Sequence, residues 1–575
     1  MKRTKYTLLI LSAAMIFAPS ARGQDAPPGS LRHSPATAPI VPVTQDDSAT
    51  GNPFVDDPAQ GVAGDMDTME MNATEPNAIT VDEIDFVSDN MFVEFPHEEP
   101  SRLQKAVEFI PTLLDKPVEP LGHFFEQIIG AEHDHVKTEL DEVPIELSPV
   151  PQRPPLILEW NERFLGSGPL SRGIEMPTGA VWRPSLWVFG EFRTAVQYFD
   201  RQRGVDPTTE WANRLDLFGQ LNLTGTERVL VGLRPLDEER GGARNFSGYD
   251  FHNGEWTDGW NPDVQTLFFE GDFGEIFPGL DPYDSKMLDV GFSVGRMPLL
   301  AQQGLLINED MIDAVTATRN TLYTNNNLNL RMTGVYSWRG LNRNSPTDRA
   351  NDFSLDSKMI AFLTESDFLH RTVNLDAAYI YGDDAFGDLF AFGASSIQRH
   401  HGFHNTYNTS VHLLASFPDG PTTDYADQGE LFFMQTSWTP HHTEDLVYFN
   451  TFLAIDQFTS PTRGPAMGGP LGQTGILFAG IGLGNYAAPI GVRTNDIAGA
   501  SVGYQLFFDH TREQVIWEVG GAKETEGVSR GALGTAVRYQ KAIGQHMIFV
   551  VDGFVSKQEG QDVSQGARTE LRIKF

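Results

Sequence analysis

Charged side chains stand at every second position near the end of the chain. Arg568, Glu570, Arg572 and Lys574 alternate with small or apolar residues, and Phe575 follows them. In a β-strand, residues at i and i+2 point to the same face. One face of this segment is therefore charged. A row of such charges beside water attracts or repels ions and orients charged solutes without making or breaking a covalent bond.

The same spacing recurs through the second half of the sequence and collects charges of both signs on one face. The positive members are Arg193, Arg214, Arg228, Arg234, Arg331, Arg339, Arg538, Arg568, Arg572 and Lys574. The negative members are Glu191, Asp216, Asp289, Asp376, Asp456, Glu518 and Glu570. The main candidates to line a pore are Arg193, Arg214, Asp216, Arg234, Asp289, Arg331, Asp376, Arg538, Arg568 and Arg572. This face is mildly basic, and the alternative interpretation is cross-strand ion pairing that locks strand register.

Histidine clusters suggest metal binding, because imidazole is a common metal ligand. They are His123, His133 and His135, then His400, His401 and His404, then His441 and His442. Their spacing fixes no coordination geometry, so we favour solvated histidines and expect no metal site and no cofactor. A pair of His412 with Ser410 or Ser416 is the enzyme alternative, but we expect a protein that is not an enzyme.

Eighteen segments with alternating apolar and polar residues predict the strands that position these charges. They lie near 186–199, 211–223, 228–236, 264–273, 287–296, 311–323, 328–338, 355–365, 371–381, 389–398, 405–416, 429–438, 446–456, 499–508, 514–520, 532–541, 546–555 and 566–575. Most have the length that a tilted strand needs to cross a bilayer, whereas soluble strands usually have about five or six residues. The connections tend to alternate between tight turns and longer loops. This pattern predicts an all-β, antiparallel transmembrane barrel of 16 to 18 strands over residues 181–575.

Composition excludes several classes of function. The chain has 42 basic and 77 acidic side chains, a net charge of −35, so repulsion from phosphate disfavours nucleic acid as a partner. It has no cysteine, which excludes disulfide scaffolds, thiolate catalysis and iron–sulfur clusters. After residue 24 no apolar run is long enough for a helical membrane span.

The first 180 residues predict a signal peptide followed by a leader segment. Residues 1–23 combine a basic start, an apolar run from Thr7 to Ala18 and small residues before Gln24, the pattern of a secretory signal peptide. Residues 24–180 are acidic and rich in proline, which is typical of a largely disordered leader. Helical apolar spacing predicts short helices at 101–114 and 121–131. We favour packing of these helices against the barrel mouth over binding to a dedicated partner.

The C-terminal segment resembles the assembly signature of bacterial outer-membrane β-barrels. Leu571, Ile573 and Phe575 occupy successive outward positions and end on an aromatic residue. Together with the signal peptide and the alternation of short and long connections, residues 181–575 resemble an outer-membrane porin, with a charged lumen similar to that of substrate-selective porins. The long acidic leader departs from the minimal porin pattern. The resemblance implies contact with outer-membrane lipid and recognition by the barrel-assembly machinery, and it leaves a homotrimer as a possible assembly.

The resemblance also implies loops that narrow the pore. The segment Pro298 to Asp310 follows the fifth strand, where porins fold a constriction loop into the barrel, so Asn308, Glu309 and Asp310 are expected to face lumen arginines. An ordinary solvated loop is the alternative. The glycine-rich stretch Gly464 to Gly484 predicts a compact loop over the barrel mouth, a second gate.

These observations predict a passive porin in a bacterial outer membrane, with the leader in the periplasm. Its solutes are small and hydrophilic, anionic ones included. The alternative is a non-conducting structural barrel whose acidic leader binds a periplasmic or cell-wall partner.

Overall fold

A computed structural model describes most of the chain after residue 117. The described residues are 118–131, 153, 155–166, 170–200, 207–240, 243–283, 286–324, 326–345, 351–401, 406–440, 443–463, 476–478, 483, 486, 488–491, 493–527 and 530–575. The predicted signal peptide, most of the leader and the predicted helix at 101–114 lie outside these residues.

Eighteen antiparallel strands form a closed barrel. They are β1 Ser185–Asp200, β2 Thr208–Asn222, β3 Arg228–Leu233, β4 Val264–Asp272, β5 Val290–Ala301, β6 Ile307–Leu322, β7 Asn329–Arg339, β8 Lys358–Phe368, β9 Arg371–Tyr381, β10 Asp388–His401, β11 Thr406–Asp419, β12 Gly429–Trp438, β13 Leu446–Gln457, β14 Asn495–Phe508, β15 Glu513–Glu524, β16 Gly531–Ile543, β17 Met547–Gln558 and β18 Val563–Lys574. Each strand pairs with the next, and β18 pairs with β1. The predicted fold class is confirmed, with eighteen strands and not sixteen.

The barrel closes where β18 meets β1. Lys574 lies opposite Glu191 in this pairing. The Phe575 amide donates to the Gly190 carbonyl at 3.0 Å, and the Gly190 amide donates to the Phe575 carbonyl at 2.8 Å. A Cβ atom at Gly190 would lie 2.3 Å from the Asp216 carbonyl oxygen and 2.8 Å from the Phe575 ring. The seam therefore requires glycine at this position.

Alternate residues of each strand face opposite sides of the wall. On β10, Leu389 and Ala391 are fully buried, whereas Phe390 and Phe392 are 41% and 39% exposed. Residues that lie opposite each other on neighbouring strands point to the same side of the wall. The exposed apolar residues therefore form the outer face, and the buried residues form the inner face.

The connections differ between the two ends of the barrel. The turn end includes the connections 223–227, 369–370, 509–512 and 544–546, and the loop end includes the long connections 234–263, 340–357 and 458–494. The turn end also holds one longer connection, 273–289, with the helix α2 (Phe273–Ile276) and a 3-10 helix at Pro278–Leu280. Both ends of the barrel sequence lie at the turn end, as predicted.

Smaller elements lie before the barrel and in its loops. Helix α1 (Val118–Ile129) overlaps the predicted helix at 121–131 and begins three residues earlier. Short strands are Leu158–Trp160, Ile174–Glu175, Val181–Trp182, Asp237–Arg240, Ala243–Asp250, Glu255–Thr257, Leu341–Asn344 and Asn351–Ser354. Leu158–Trp160 pairs with β1 at Leu186–Val188, next to the end of β18. None of the helices in the described part of the chain has the length and apolar character needed to cross a membrane.

An apolar cluster fills part of the barrel interior. Leu305 and Leu306, from the connection between β5 and β6, and Ile476, Leu477 and Phe478, from the connection between β13 and β14, are almost completely buried against inner-face residues of the wall. Two connections from the loop end therefore fold into the barrel, and the main core of the molecule lies inside it.

Candidate functional site: the barrel interior

A chain of alternating charges crosses the inner wall from β16 to β1. The guanidinium Nε of Arg538 donates to Asp552 at 2.5 Å, and Arg568 donates to the same carboxylate at 2.6 Å. Arg568 also donates to Glu570 at 2.6 Å, and Arg193 donates to Glu570 at 2.5 Å. All five side chains are buried. Each acid lies between two arginines, so neither carboxylate is buried without a counter-charge.

A second group of ion pairs follows on the neighbouring strands. Asp216 accepts a hydrogen bond from Arg214 on its own strand at 3.2 Å and one from Arg234, which follows β3, at 3.0 Å. Glu191 on β1 accepts from Arg572 on β18 through two bonds at 3.0 and 3.1 Å. Strand register places Arg572, Arg193 and Arg214 side by side on β18, β1 and β2. These acids screen three adjacent guanidinium groups from one another.

Most of the predicted pore-lining residues lie on the inner face, but in ion pairs rather than as free charges. The inner-face residues are Arg193, Arg214, Asp216, Arg234, Arg331, Asp376, Arg538, Arg568 and Arg572. Except for Arg331, they are largely buried. Asp289 precedes β5 and is exposed at the turn end, so it does not lie on the inner wall. The alternative of cross-strand ion pairing thus describes this wall better than a row of solvated charges.

Arg331 on β7 is different because its side chain is 51% exposed. It lies 3.7 Å from Glu365 on β8 and donates to Asn320 on β6 at 3.1 Å. Its inner-face neighbours Thr333 and Asn374 are partly exposed. We call this polar, solvent-accessible part of the inner face at the turn end the vestibule.

The connection after β5 folds into the interior and contacts strands β9 and β11 of the wall. Gln302 donates to Asp376 on β9 at 2.8 Å, and its amide oxygen lies 3.0 Å from Nδ1 of His412 on β11. Nε2 of His412 lies 2.8 Å from the Ser410 hydroxyl and 3.2 Å from the Gln303 amide oxygen. Gln302 and Gln303 have φ of 53° and 54°, which non-glycine residues seldom adopt. These bonds hold a strained turn inside the barrel.

The expected roles of Asn308, Glu309 and Asp310 need correction. All three belong to β6 rather than to a loop. The Glu309 carboxylate is buried and accepts from the amide and the side chain of Asn342 at 2.7 and 2.8 Å, and the Asn308 amide donates to Thr462. The segment that enters the barrel is 302–306 instead, and it contacts the wall through the side-chain amides of Gln302 and Gln303.

The connection between β13 and β14 forms a second inward segment. The amides of Ile476 and Leu477 donate to the buried Glu518 on β15, both at 2.9 Å. Tyr448 on β13 donates to the same carboxylate at 2.5 Å. Farther along, the Tyr486 ring lies 5.9 Å from the Arg568 guanidinium. The predicted compact loop at 464–484 therefore enters the barrel at its described residues rather than lying only over its mouth.

Arg343 ties three loop-end connections together. Its guanidinium donates to the Gly387 carbonyl at 3.1 and 3.2 Å and to the Tyr425 carbonyl at 3.2 Å. Burial lowers the pKa of Arg343 to about 10, and Asp383 and Asp388 partly offset this effect. Because the cation is buried mainly among carbonyl groups, its hydrogen bonds hold the loops in one arrangement.

The residues with catalytic or metal-binding potential do not form an accessible site in the described part of the chain. His412 and Ser410 are fully buried. Two Gly-x-Ser-x-Gly sequences, 291–295 and 499–503, lie inside β5 and β14 rather than at a strand-to-helix turn. Among the described residues no group of three metal-ligating side chains occurs. His400 stacks on Tyr407, while His133, His135, His404, His441 and His442 lie outside the described residues.

Sequence reasoning missed Asp552, Gln302 and Gln303. Asp552 stands between Val551 and Gly553 on an alternating strand, so the period-two pattern contains the signal that could have found it. Gln302 and Gln303 carry no charge and precede an apolar run, and nothing in their spacing indicates contact with a strand more than a hundred residues away.

Three solved structures of similar architecture are those of the outer membrane protein opdK and of OccK2 (OpdF) in complex with glucuronate, both from Pseudomonas aeruginosa, and of a BenF-like porin from Pseudomonas fluorescens Pf-5. Their sequence identities to this chain are 10%, 9% and 9%, and their TM-scores are 0.45, 0.46 and 0.46. In each case the match covers 68% of this chain and 98% of the other. No protein-family model and no curated protein matches the chain.

Proposed function

We propose that this chain is a porin of a bacterial outer membrane that passes small hydrophilic solutes, including anionic ones. The main observation behind the proposal is that the barrel is apolar on its outside and charged on its inside, the reverse of a water-soluble protein. Large apolar side chains such as Ile360, Phe362 and Val502 are exposed on the outer face, while charged groups such as Arg568 and Glu570 lie inside. A continuous exposed apolar wall of this kind is stable against lipid and unstable in water.

A polar, accessible inner face at the turn end and a small polar cavity at the loop end support passage of solute. At the turn end, the vestibule presents Arg331 and Glu365. At the loop end, a cavity of about 80 Å³ is lined by Arg493, Arg530 and Lys557 together with acidic groups. Segments 302–306 and 476–478 lie between the two ends, so the conducting path is narrow.

The signal peptide, the leader and the C-terminal assembly signal are part of the same proposal. Residues 1–23 direct export, residues 24–180 stay on the periplasmic side, and the barrel-assembly machinery recognises Leu571, Ile573 and Phe575. The position of the barrel ends supports this arrangement, because outer-membrane barrels place short turns on the periplasmic side. A homotrimer is a further prediction. Chemical cross-linking of the protein in membranes tests it.

Conductance is the deciding measurement. Purified full-length protein in planar bilayers is expected to give discrete channel steps, and a reversal potential in a salt gradient that indicates anion preference. Membrane-inserted protein without any conductance, in the wild type and in variants with released inner loops, would contradict the porin proposal and favour the non-conducting tether.

Arg331→Glu tests the selectivity. Reversing this charge changes the energy of an ion passing about 4 Å away by about 2 kcal/mol before screening, so the reversal potential should shift toward cations. Lys523→Glu is the matched control, because Lys523 is exposed on the outer face of β15. An unchanged reversal potential in Arg331→Glu would show that this residue does not border the ion path.

A further inference from the structure

Helix α1 packs against the outside of the barrel. Phe125 and Ile129 contact a cluster of three outer-face residues at the turn end of β14 and β15, Leu506, Phe508 and Val515. These three wall residues are almost completely buried. Outer-face positions farther along the same strands are exposed, so this part of the wall is covered by α1 while the rest of the wall remains open.

The apolar surface of the helix extends beyond the side that contacts the barrel. Phe124 and Ile128 lie one turn apart and are 56% and 64% exposed. They lie on the side of the helix next to that of Phe125 and Ile129, because successive helical residues are about 100° apart. An apolar surface that extends this far beyond the contact with the barrel is not stable in water.

The position of the helix identifies what covers this exposed apolar surface. Tyr504 and Tyr539 on the outer wall pack against the same cluster, in the position of the aromatic girdle that marks a membrane interface. The adjacent outer-face residues Trp517, Val519 and Val537 are exposed toward the side of the barrel. The exposed face of α1 is continuous with this apolar wall.

We infer that α1 is an interfacial anchor whose Phe124 and Ile128 insert among the acyl chains of the periplasmic leaflet. This inference rests on the proposed membrane location of the barrel. The helix has 12 residues, about 18 Å at 1.5 Å per residue, too short to cross a hydrocarbon core of about 30 Å. It therefore lies along the membrane surface, with Phe125 and Ile129 against the wall and Phe124 and Ile128 in lipid.

The absence of cysteine allows a direct test with single labels. The variants Ile128→Cys, Val537→Cys and Asp509→Cys each receive one nitroxide label in the full-length protein, reconstituted into phospholipid vesicles. Val537 reports the lipid-facing wall, and Asp509 reports an exposed turn. Collision rates with oxygen, which concentrates in lipid, are compared with those of a water-soluble nickel chelate.

The oxygen-to-nickel ratio at position 128 is expected to match that at 537 and to exceed that at 509 severalfold. A ratio at 128 equal to that at 509, with a high ratio at 537, overturns the anchor and leaves the barrel proposal intact. Protection of position 128 from both reagents also overturns it, since protein would then cover this face. A low ratio at 537 itself would contradict the membrane location of the barrel.

Discussion

Glu570 is buried in the barrel wall and yet touches two arginines, one on each side. Burying an ion costs several kcal/mol, and a single partner often fails to recover that cost. Sharing each acid between two guanidinium groups gives every charge at least one short contact. The arrangement therefore favours one strand register, because a slip of one residue would turn all these groups toward the outer face.

Arg568→Met should destabilise the barrel strongly. Arg568 bonds both Asp552 and Glu570, so its loss leaves two buried acids each with one remaining arginine. Removing one partner of a buried pair costs about 3 to 5 kcal/mol, whereas an exposed pair contributes about 0 to 1 kcal/mol. The half-exposed Arg331→Met is the control, and urea unfolding in detergent followed by tryptophan fluorescence measures both. Equal midpoints for the two variants would contradict a structural role of the charge chain.

The charged residues of this series of ion pairs could be predicted from the sequence. Which acid bonds to which arginine could not. Period-two spacing identified Arg193 and Glu570 as members of one face. They are 377 positions apart and meet only because β18 closes against β1. The number and shear of the strands between them decide that contact, and a single strand carries no information on either.

At the scale of the elements, the strands were predictable because side-chain period and strand length both follow from the bilayer. Every predicted segment overlaps a barrel strand, and the main differences are at the ends. β6 begins at Ile307, so Asn308 and Glu309 belong to a strand rather than to a loop. The inward course of 302–306 was not predictable in detail, because Leu305 and Leu306 form an apolar run without alternation.

Gly190→Ala should weaken the seam between β1 and β18. The added Cβ would meet the Asp216 carbonyl oxygen at 2.3 Å and the Phe575 ring at 2.8 Å. Forcing such an overlap typically costs about 1 to 3 kcal/mol, so the urea midpoint should fall and insertion of the barrel should slow. Gly219→Ala on β2 is the matched control, because nothing lies within 4 Å of its Cβ position. If both variants unfold alike, the close approach at Gly190 is not needed for closure.

Arg343→Met should loosen the loop end without unfolding the barrel. The guanidinium bonds carbonyl groups of the connections that contain Gly387 and Tyr425, and these carbonyls lose their donors. Hydrogen exchange measured by mass spectrometry should increase in 340–357, 382–387 and 420–428 and stay unchanged in β14 to β18. Arg339→Met, at an exposed position, is the control. Unaltered exchange in all three connections would show that other contacts hold them.

At the scale of the whole molecule, the barrel has two different halves along its axis. The turn end is polar and accessible around Arg331, whereas the loop end is filled by its own connections and by the apolar cluster around Leu305 and Phe478. An open pore of this strand number would be wide. Under the proposed porin function, the inward segments therefore decide how much of that width is open to solute.

Releasing segment 302–306 should raise single-channel conductance. Leu305 and Leu306 are fully buried in the interior cluster, and burying each leucine side chain contributes about 1.5 to 3 kcal/mol. In the double variant Leu305→Ser and Leu306→Ser, the three remaining hydrogen bonds of Gln302 and Gln303 cannot compensate for this loss. The segment therefore leaves the wall, and larger, noisier steps appear in planar bilayers. Leu300→Ser is the control, because Leu300 is exposed on the outer face just before the segment. Conductance from the double variant combined with a silent wild type would mean that the barrel is closed by its own loops, while identical steps from both would place the limiting constriction at 476–478 instead.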